Sequence, residues 1–371
     1  MENMDQNKKR MEFVLSKLEE NINTFVDTFP KAQSKQYRYE EAPCTCWTNG
    51  FFVGMELLAY EYTGNKKFLD AANHHLKIFR HRIENKIRVD HHDMGFLYSL
   101  AAVANYKITK NEYAKDTAIL AADQLLTRFN EKAGFIQAWG KMGDHESYRL
   151  IIDCLMNIPL LFWATEVTGN EKYEQVARRH LYTTVEVIIR ENATTHHTYF
   201  FDTETGKPLC GKTSQGASDD SCWARGQAWG IYGMALAYRY TKDERMVENF
   251  KRLTDKFMEL LPENMVPYWD MIYGDGSGEP RDTSAAAIAV CGILEMSHHA
   301  ECQEYVLKAQ NILTSLADNY TSKDLEDSNV ILTDAMYNRP AGHQPEGAIY
   351  GDYFYMEALM RSLRPDWNPY W

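Results

Sequence analysis

No run of 18 apolar residues occurs in the 371-residue chain, so no transmembrane helix is expected. The segment Met1 to Arg10 holds neither the apolar centre of a signal peptide nor a small-residue cleavage site, which points to a cytoplasmic protein with no membrane partner. A cysteine framework is missing too. The seven cysteines (Cys44, Cys46, Cys154, Cys210, Cys222, Cys291 and Cys302) are odd in number, scattered and without a CxxC. They read as reduced thiols buried as small apolar side chains. Cys44-Thr45-Cys46 has no second Cys/His pair at finger-like spacing, so no metal knuckle is expected. Glycine (21) and proline (11) are scarce, which favours helix over a turn-rich β architecture. Positive charge is also short: 40 Lys+Arg against 52 Asp+Glu leave a net charge of −12. That balance argues against nucleic acid as the main partner, which needs a basic face, but does not exclude a small anion held by one or two cations.

Aromatic residues, in contrast, are plentiful at 13%, with 23 Tyr and 8 Trp. They suit either a stacking surface or the filling of a wide helical core. A short pattern also recurs, in which an apolar helix meets a Thr/Gly/Asn turn and a second helix opens on a Lys or aromatic residue. It reads Tyr62-Thr63-Gly64-Asn65-Lys66-Lys67-Phe68, then Ile108-Thr109-Lys110-Asn111-Glu112-Tyr113, then Thr168-Gly169-Asn170-Glu171-Lys172-Tyr173. A weaker copy spans Tyr240 to Met246, and a degraded one spans His298 to Tyr305.

Counting back about 16 residues from each turn reaches Trp47, Asp93, Asp153, Arg225 and Asp282. Asp352 stands about 16 residues before Asn368, where a sixth turn is expected near the chain end. The segments after these starts are apolar and rich in small residues, so they read as buried helices. Their partners over Lys66–Arg80, Glu112–Phe129 and Glu171–Ile188 are amphipathic and belong outside. Six such hairpins predict an all-α fold, an (α/α)6 barrel forming one domain over residues 1–371, with the six polar starts meeting at one mouth. An open superhelix is the alternative. Three inserts, Glu191–Ser221, Tyr268–Arg281 and Tyr337–Gly351, read as loops, the first as a loop or hairpin over the mouth. Pro159 sits six residues into the third inner helix, where it is tolerated near a first turn or as a kink.

Asp93 and Asp153 are the candidate acids. An aspartate at a helix start is ordinarily an N-cap. Asp153, however, follows Ile151-Ile152 and precedes an apolar run, so desolvation should raise its pKa into the range of a general acid. Two carboxylates at one mouth suit carbohydrate chemistry. His91-His92 beside them reads as hydrogen-bonding rather than metal-binding, because adjacent histidines diverge on a helix. In Trp223-Ala224-Arg225-Gly226-Gln227-Ala228-Trp229, a buried Arg between tryptophans requires an anionic partner, either a protein carboxylate or a ligand carboxylate. Trp47 and Trp139 are further stacking platforms.

At these residues the chain resembles glycoside hydrolase family 88, the unsaturated glucuronyl hydrolases, from about Trp47 to Arg361. Arg281-Asp282-Thr283-Ser284-Ala285 and Tyr350-Gly351-Asp352-Tyr353 share the resemblance. It implies an (α/α)6 barrel that acts, without metal or cofactor, on oligosaccharides left by polysaccharide lyases from glycosaminoglycans. These carry a 4,5-unsaturated uronic acid at the non-reducing end. The resemblance implies Asp153 as general acid/base and Asp93 as the second essential carboxylate. It implies substrate contacts from Trp47, His92, His197, Gln215, Trp223, Arg225 and Trp229, with Gln215 and Arg225 gripping the uronate, and Trp139 stacking on the next sugar. The segment Arg361 to Trp367 does not match the Ser/Lys cluster carried by relatives that favour sulfated substrates. The rival readings are a family 105 unsaturated rhamnogalacturonyl hydrolase, a sugar epimerase using His92 with His197, and a non-catalytic sugar-binding barrel.

Overall fold

The computed structural model describes residues 2–371. Its helices, in chain order, are α1 (Glu2–Thr24), α2 (Asn49–Thr63), α3 (Lys66–Glu84), α4 (94–109), α5 (Glu112–Leu126), α6 (154–168), α7 (Glu171–Ile188), α8 (Ala224–Thr241), α9 (Glu244–Leu260), α10 (Thr283–Ser297), α11 (Gln303–Asn319) and α12 (Ile349–Leu363). The even-numbered helices form an inner ring, each touching the next, and α12 closes against α2. Their surfaces are apolar on almost every side; in α8 every residue from Ala224 to Ala237 is buried. The odd-numbered helices lie outside and bury one stripe each, as α9 does with Met246, Val247, Phe250, Leu253 and Phe257. The result is a closed helical barrel.

The recurring turn has a local cause. The Thr63 hydroxyl donates to the Ala59 carbonyl and accepts from the Asn65 amide, at 2.7 and 3.1 Å. Gly64 takes the left-handed conformation that ends the inner helix (φ 70°), and the Asn65 side chain caps the outer helix at Lys67. Thr109-Lys110-Asn111, Thr168-Gly169-Asn170 and Thr241-Lys242-Asp243 repeat every one of these bonds. At the fifth turn Cys302 precedes α11 without a side-chain cap, and the motif is lost.

Two expectations need correction. The chain turns at Pro365-Asp366, near Asn368, but no outer helix follows that turn. The outer position beside α12 is filled instead by α1, whose Met11, Val14 and Leu18 are fully buried, so the sixth pair joins the two ends of the chain. The thiols are free, as expected, but Cys210 is exposed on a hairpin, while Cys44 and Cys46 are half-buried. Pro159 takes a first-turn position, opening the second part of α6. The proline lacks an N–H, and α6 divides into Cys154–Asn157 and Pro159–Thr168.

The insert after α7 is a hairpin, Thr198–Phe201 with Pro208–Lys212, whose first strand also pairs with Arg149–Ile151. This three-stranded sheet places His197 beside Asp153, because the Ile152 amide donates to the His197 carbonyl at 3.0 Å. Among the described residues, no helix is long and apolar enough to cross a membrane.

Candidate active site

Asp93 and Asp153 each occupy the residue before an inner helix, yet neither side chain caps it. Asp282, at the equivalent place, does cap, accepting from the Ser284 amide at 3.2 Å. The first two carboxylates are therefore free for another use.

What joins them is a close approach of α4 and α6. A Cβ on Gly95 would lie 2.4 Å from the Asn157 Cα, so only glycine lets the two helix starts meet. The Asn157 side chain ties the contact, accepting from the Phe96 amide at 2.8 Å and donating to the Asp153 carbonyl at 3.1 Å. As a result His92 lies between the acids, its Nε2 3.4 Å from Asp93 Oδ1 and 3.3 Å from Asp153 Oδ1.

The two acids are pushed in opposite directions. Burial, and after it the neighbouring Asp93 charge, raises Asp153 well above the ordinary aspartate value, against an opposing pull from Arg225. Burial also opposes ionisation of Asp93, but His92, His91 and Arg82 outweigh it and hold its pKa down. His92 itself is brought down to about 4, mainly by burial, and is neutral above that. One carboxyl is thus biased toward its acid form and the other toward its anion, the division of labour that acid–base catalysis needs. The ligand atoms of His92, Asp93 and Asp153 lie within 4.8 Å of one another, so a cation would fit there by distance alone. The opposed carboxyl states suit proton transfer.

Arg225 finds its anionic partner in the protein. One terminal nitrogen donates to Asp282 Oδ2 and to the Met336 carbonyl, both at 2.7 Å. The other donates to Gln215 Oε1 at 2.6 Å and to the Tyr337 carbonyl at 2.7 Å. Its guanidinium is sandwiched by Trp223 and Tyr350, with ring centres at 4.6 and 5.2 Å. Trp47 stacks on Tyr350 at 5.5 Å and donates from Nε1 to the Tyr337 hydroxyl. His197 lies against Trp223 at 4.3 Å and accepts at Nδ1 from the Ser214 amide. Trp139 lies flat on His91 at 4.5 Å and is 39% exposed, an open stacking face one ring away from Asp93.

Trp229 departs from the expected arrangement. It is 1% exposed and covered by Phe96 and Phe354, so it belongs to the floor beneath the site. Asp352 departs as well. It is buried away from the acids, accepting from the Tyr39 hydroxyl and from the Ile331 and Leu332 amides. The polar starts of the sequence therefore do not all serve the mouth. Most other aromatics fill the core, including Tyr98, Tyr232, Tyr353 and Trp371. Sequence reasoning overlooked Tyr337, Tyr350 and Asn157. Of these only Tyr350 carried a signal, its place at the sixth inner helix.

A helical barrel with a carboxyl biased toward its acid form beside one biased toward its anion, walled by indoles, is built as a carbohydrate-active enzyme. Residues 20–362 match the model of Glycosyl Hydrolase Family 88, and the chain belongs to that family. It is 46% identical over 367 residues to the unsaturated chondroitin disaccharide hydrolase of Streptococcus agalactiae serotype III, covering 97% of this chain and 92% of that one. It is 40% identical over 351 residues to the unsaturated glucuronyl hydrolase of Bacillus sp. (strain GL1), covering 93% of each. The crystal structure of the unsaturated glucuronyl hydrolase from Streptococcus agalactiae superimposes with a TM-score of 0.97 at 45% identity, over 99% of this chain and 94% of that one. The chain is accordingly a glycoside hydrolase of the glucuronyl rather than the rhamnogalacturonyl type.

Proposed function

We propose that this enzyme releases a 4,5-unsaturated uronic acid from the non-reducing end of lyase-generated glycosaminoglycan disaccharides by hydrating the C4=C5 vinyl ether. The observation that carries the reading is Asp153: a buried carboxyl biased toward its acid form, with Oδ1 unpartnered, beside an ionised Asp93. A vinyl ether is protonated at carbon slowly, so it needs an aimed acid. Asp153 gives its proton to C4, and C5 becomes an oxocarbenium centre that the Asp93 anion stabilises. Water adds at C5 and passes a proton to the Asp153 carboxylate, which regenerates the acid. The C5 hemiketal opens to a ketone, leaving a hemiacetal at C1 that expels the remaining sugar as an alcohol. No bond to the glycosidic oxygen is protonated first, so the carboxylate spacing that separates retaining from inverting enzymes does not govern the outcome.

In this reading Trp47, Trp223 and Trp139 supply faces for the sugar rings. Gln215 and Arg225 meet the uronate carboxylate, with Arg225 exchanging part of its protein bonding for the ligand. His197 bonds a hydroxyl, buried His92 orients the two acids instead of reaching the sugar, and Trp229 backs the floor. The test is incubation with an unsaturated chondroitin disaccharide in ¹⁸O-water. Loss of the conjugated ultraviolet band, with the label on the C5 ketone of the product, is expected. A persisting band, alone or with isomer formation, refutes hydration.

A further inference from the structure

Behind the catalytic cluster lies a second buried histidine, His180 on α7, fully shielded from solvent. Its Nδ1 accepts from the Ile136 amide at 3.3 Å, so the ring proton is on Nε2. That Nε2–H is buried and meets no acceptor in the protein. His92 has no hydrogen-bond partner at either buried ring nitrogen; its Nε2 faces the two acids, which leaves Nδ1 to face away from them.

The backbone brings the two residues to one strand edge. The Gln137 amide points to the Arg128 carbonyl, whereas the Ile136 amide and the Ala138 carbonyl face the opposite edge of that segment. The Ile136 amide holds His180, and the Ala138 carbonyl accepts from the His92 amide at 2.9 Å. The two histidines therefore approach one edge two residues apart, about 7 Å along an extended strand. A second link leads to the same place. Thr184, one turn after His180, donates to the His180 carbonyl and lies 3.5 Å from the sulfur of Cys154, the residue after Asp153. Burial first, and then the His92 ring, brings the His180 pKa down to about 3, so it is neutral.

We propose that His180 is a positioning residue that directs its Nε2–H through one water to His92 Nδ1, and so locks His92 as the Nε2–H tautomer between Asp93 and Asp153. The consequence rests on the reading of Asp153 as the acid. With hydrogen on Nε2, His92 turns a donor toward both carboxylates, at 3.4 and 3.3 Å, and leaves the Asp153 proton free for C4. With hydrogen on Nδ1, the bare Nε2 at 3.3 Å would accept that proton and withdraw it from the substrate.

Histidine-selective ¹⁵N labelling and long-range ¹H–¹⁵N spectra of the full chain read the tautomer directly, with His92 assigned by comparison with His92→Gln. The Nε2–H pattern is expected; an Nδ1–H pattern or an imidazolium overturns the proposal. This holds whether or not Asp153 proves to be the acid, so the two claims fail separately. His180→Asn keeps an acceptor for Ile136 but removes the Nε2 donor. It should lower kcat by about 10–100-fold with little change in KM, and mix the His92 tautomers. His180→Gln restores a donor at the Nε2 position and should recover the rate. Equal rates for Asn and wild type overturn the proposal, as does equal loss for Asn and Gln; if His180→Asn does not fold, the wild-type spectrum decides.

Discussion

Replacing Asp153 by Asn should move activity and stability in opposite directions. The amide keeps the shape of the carboxyl but is too weak an acid to protonate carbon. No neighbour can take over: Asp93 is biased toward its anion and His92 is neutral with a pKa of about 4. General acid catalysis is worth ~10²–10⁴-fold, or ~2.7–5.4 kcal/mol, and without a substitute donor the loss should reach the upper part of that range. Stability follows from the raised pKa. The folded state binds the Asp153 proton more tightly than the unfolded chain, whose aspartates titrate near ~3.9. Wild-type stability therefore falls as pH rises from that value through the folded pKa, at ~1.4 kcal/mol per unit of elevation. Asn escapes this loss. Thermal melts from pH 4 to 8 should show the variant gaining on wild type as pH rises through that interval, while the ultraviolet assay shows its rate collapsing. A variant within tenfold of the wild-type rate, or one that melts lower at neutral pH, would refute the assignment of a proton-bearing Asp153.

Asp93→Asn removes the anion that helps to hold the Asp153 proton. The variant should be slow, and the alkaline fall of its pH–rate profile should shift to lower pH; an unmoved limb counts against the coupling. Arg225→Ala leaves Asp282 buried without its partner, so KM should rise and stability should drop by about 3–5 kcal/mol in denaturant melts. Trp139→Ala, at an exposed face, should raise KM for a disaccharide with kcat and melting temperature nearly unchanged. In Gly95→Ala the added methyl meets the Asn157 backbone, and a shift of about 1 Å between the acids should lower kcat by about 10²-fold. Wild-type turnover in that variant would show that the helix contact does not set the geometry.

The sequence by itself determined what neighbours along the chain decide. Each of the four turns, Thr-Gly-Asn twice, Thr-Lys-Asn and Thr-Lys-Asp, closes through bonds spanning four residues or fewer, so four hairpins, and the division into inner and outer helices, were legible as pattern. The positions of Asp93 and Asp153 at helix starts were legible for the same reason. Only the tertiary structure decided that α1 completes the sixth pair, because that requires the two ends of the chain to meet. It also decided that Asp282 serves Arg225 across 57 residues, that Asp352 anchors a loop, and that Trp229 lies in the floor. The opposed states of the two acids were decided there too. Desolvation and Coulomb forces depend on distance in space, and here a missing Cβ on Gly95 and a histidine between the carboxyls set that distance.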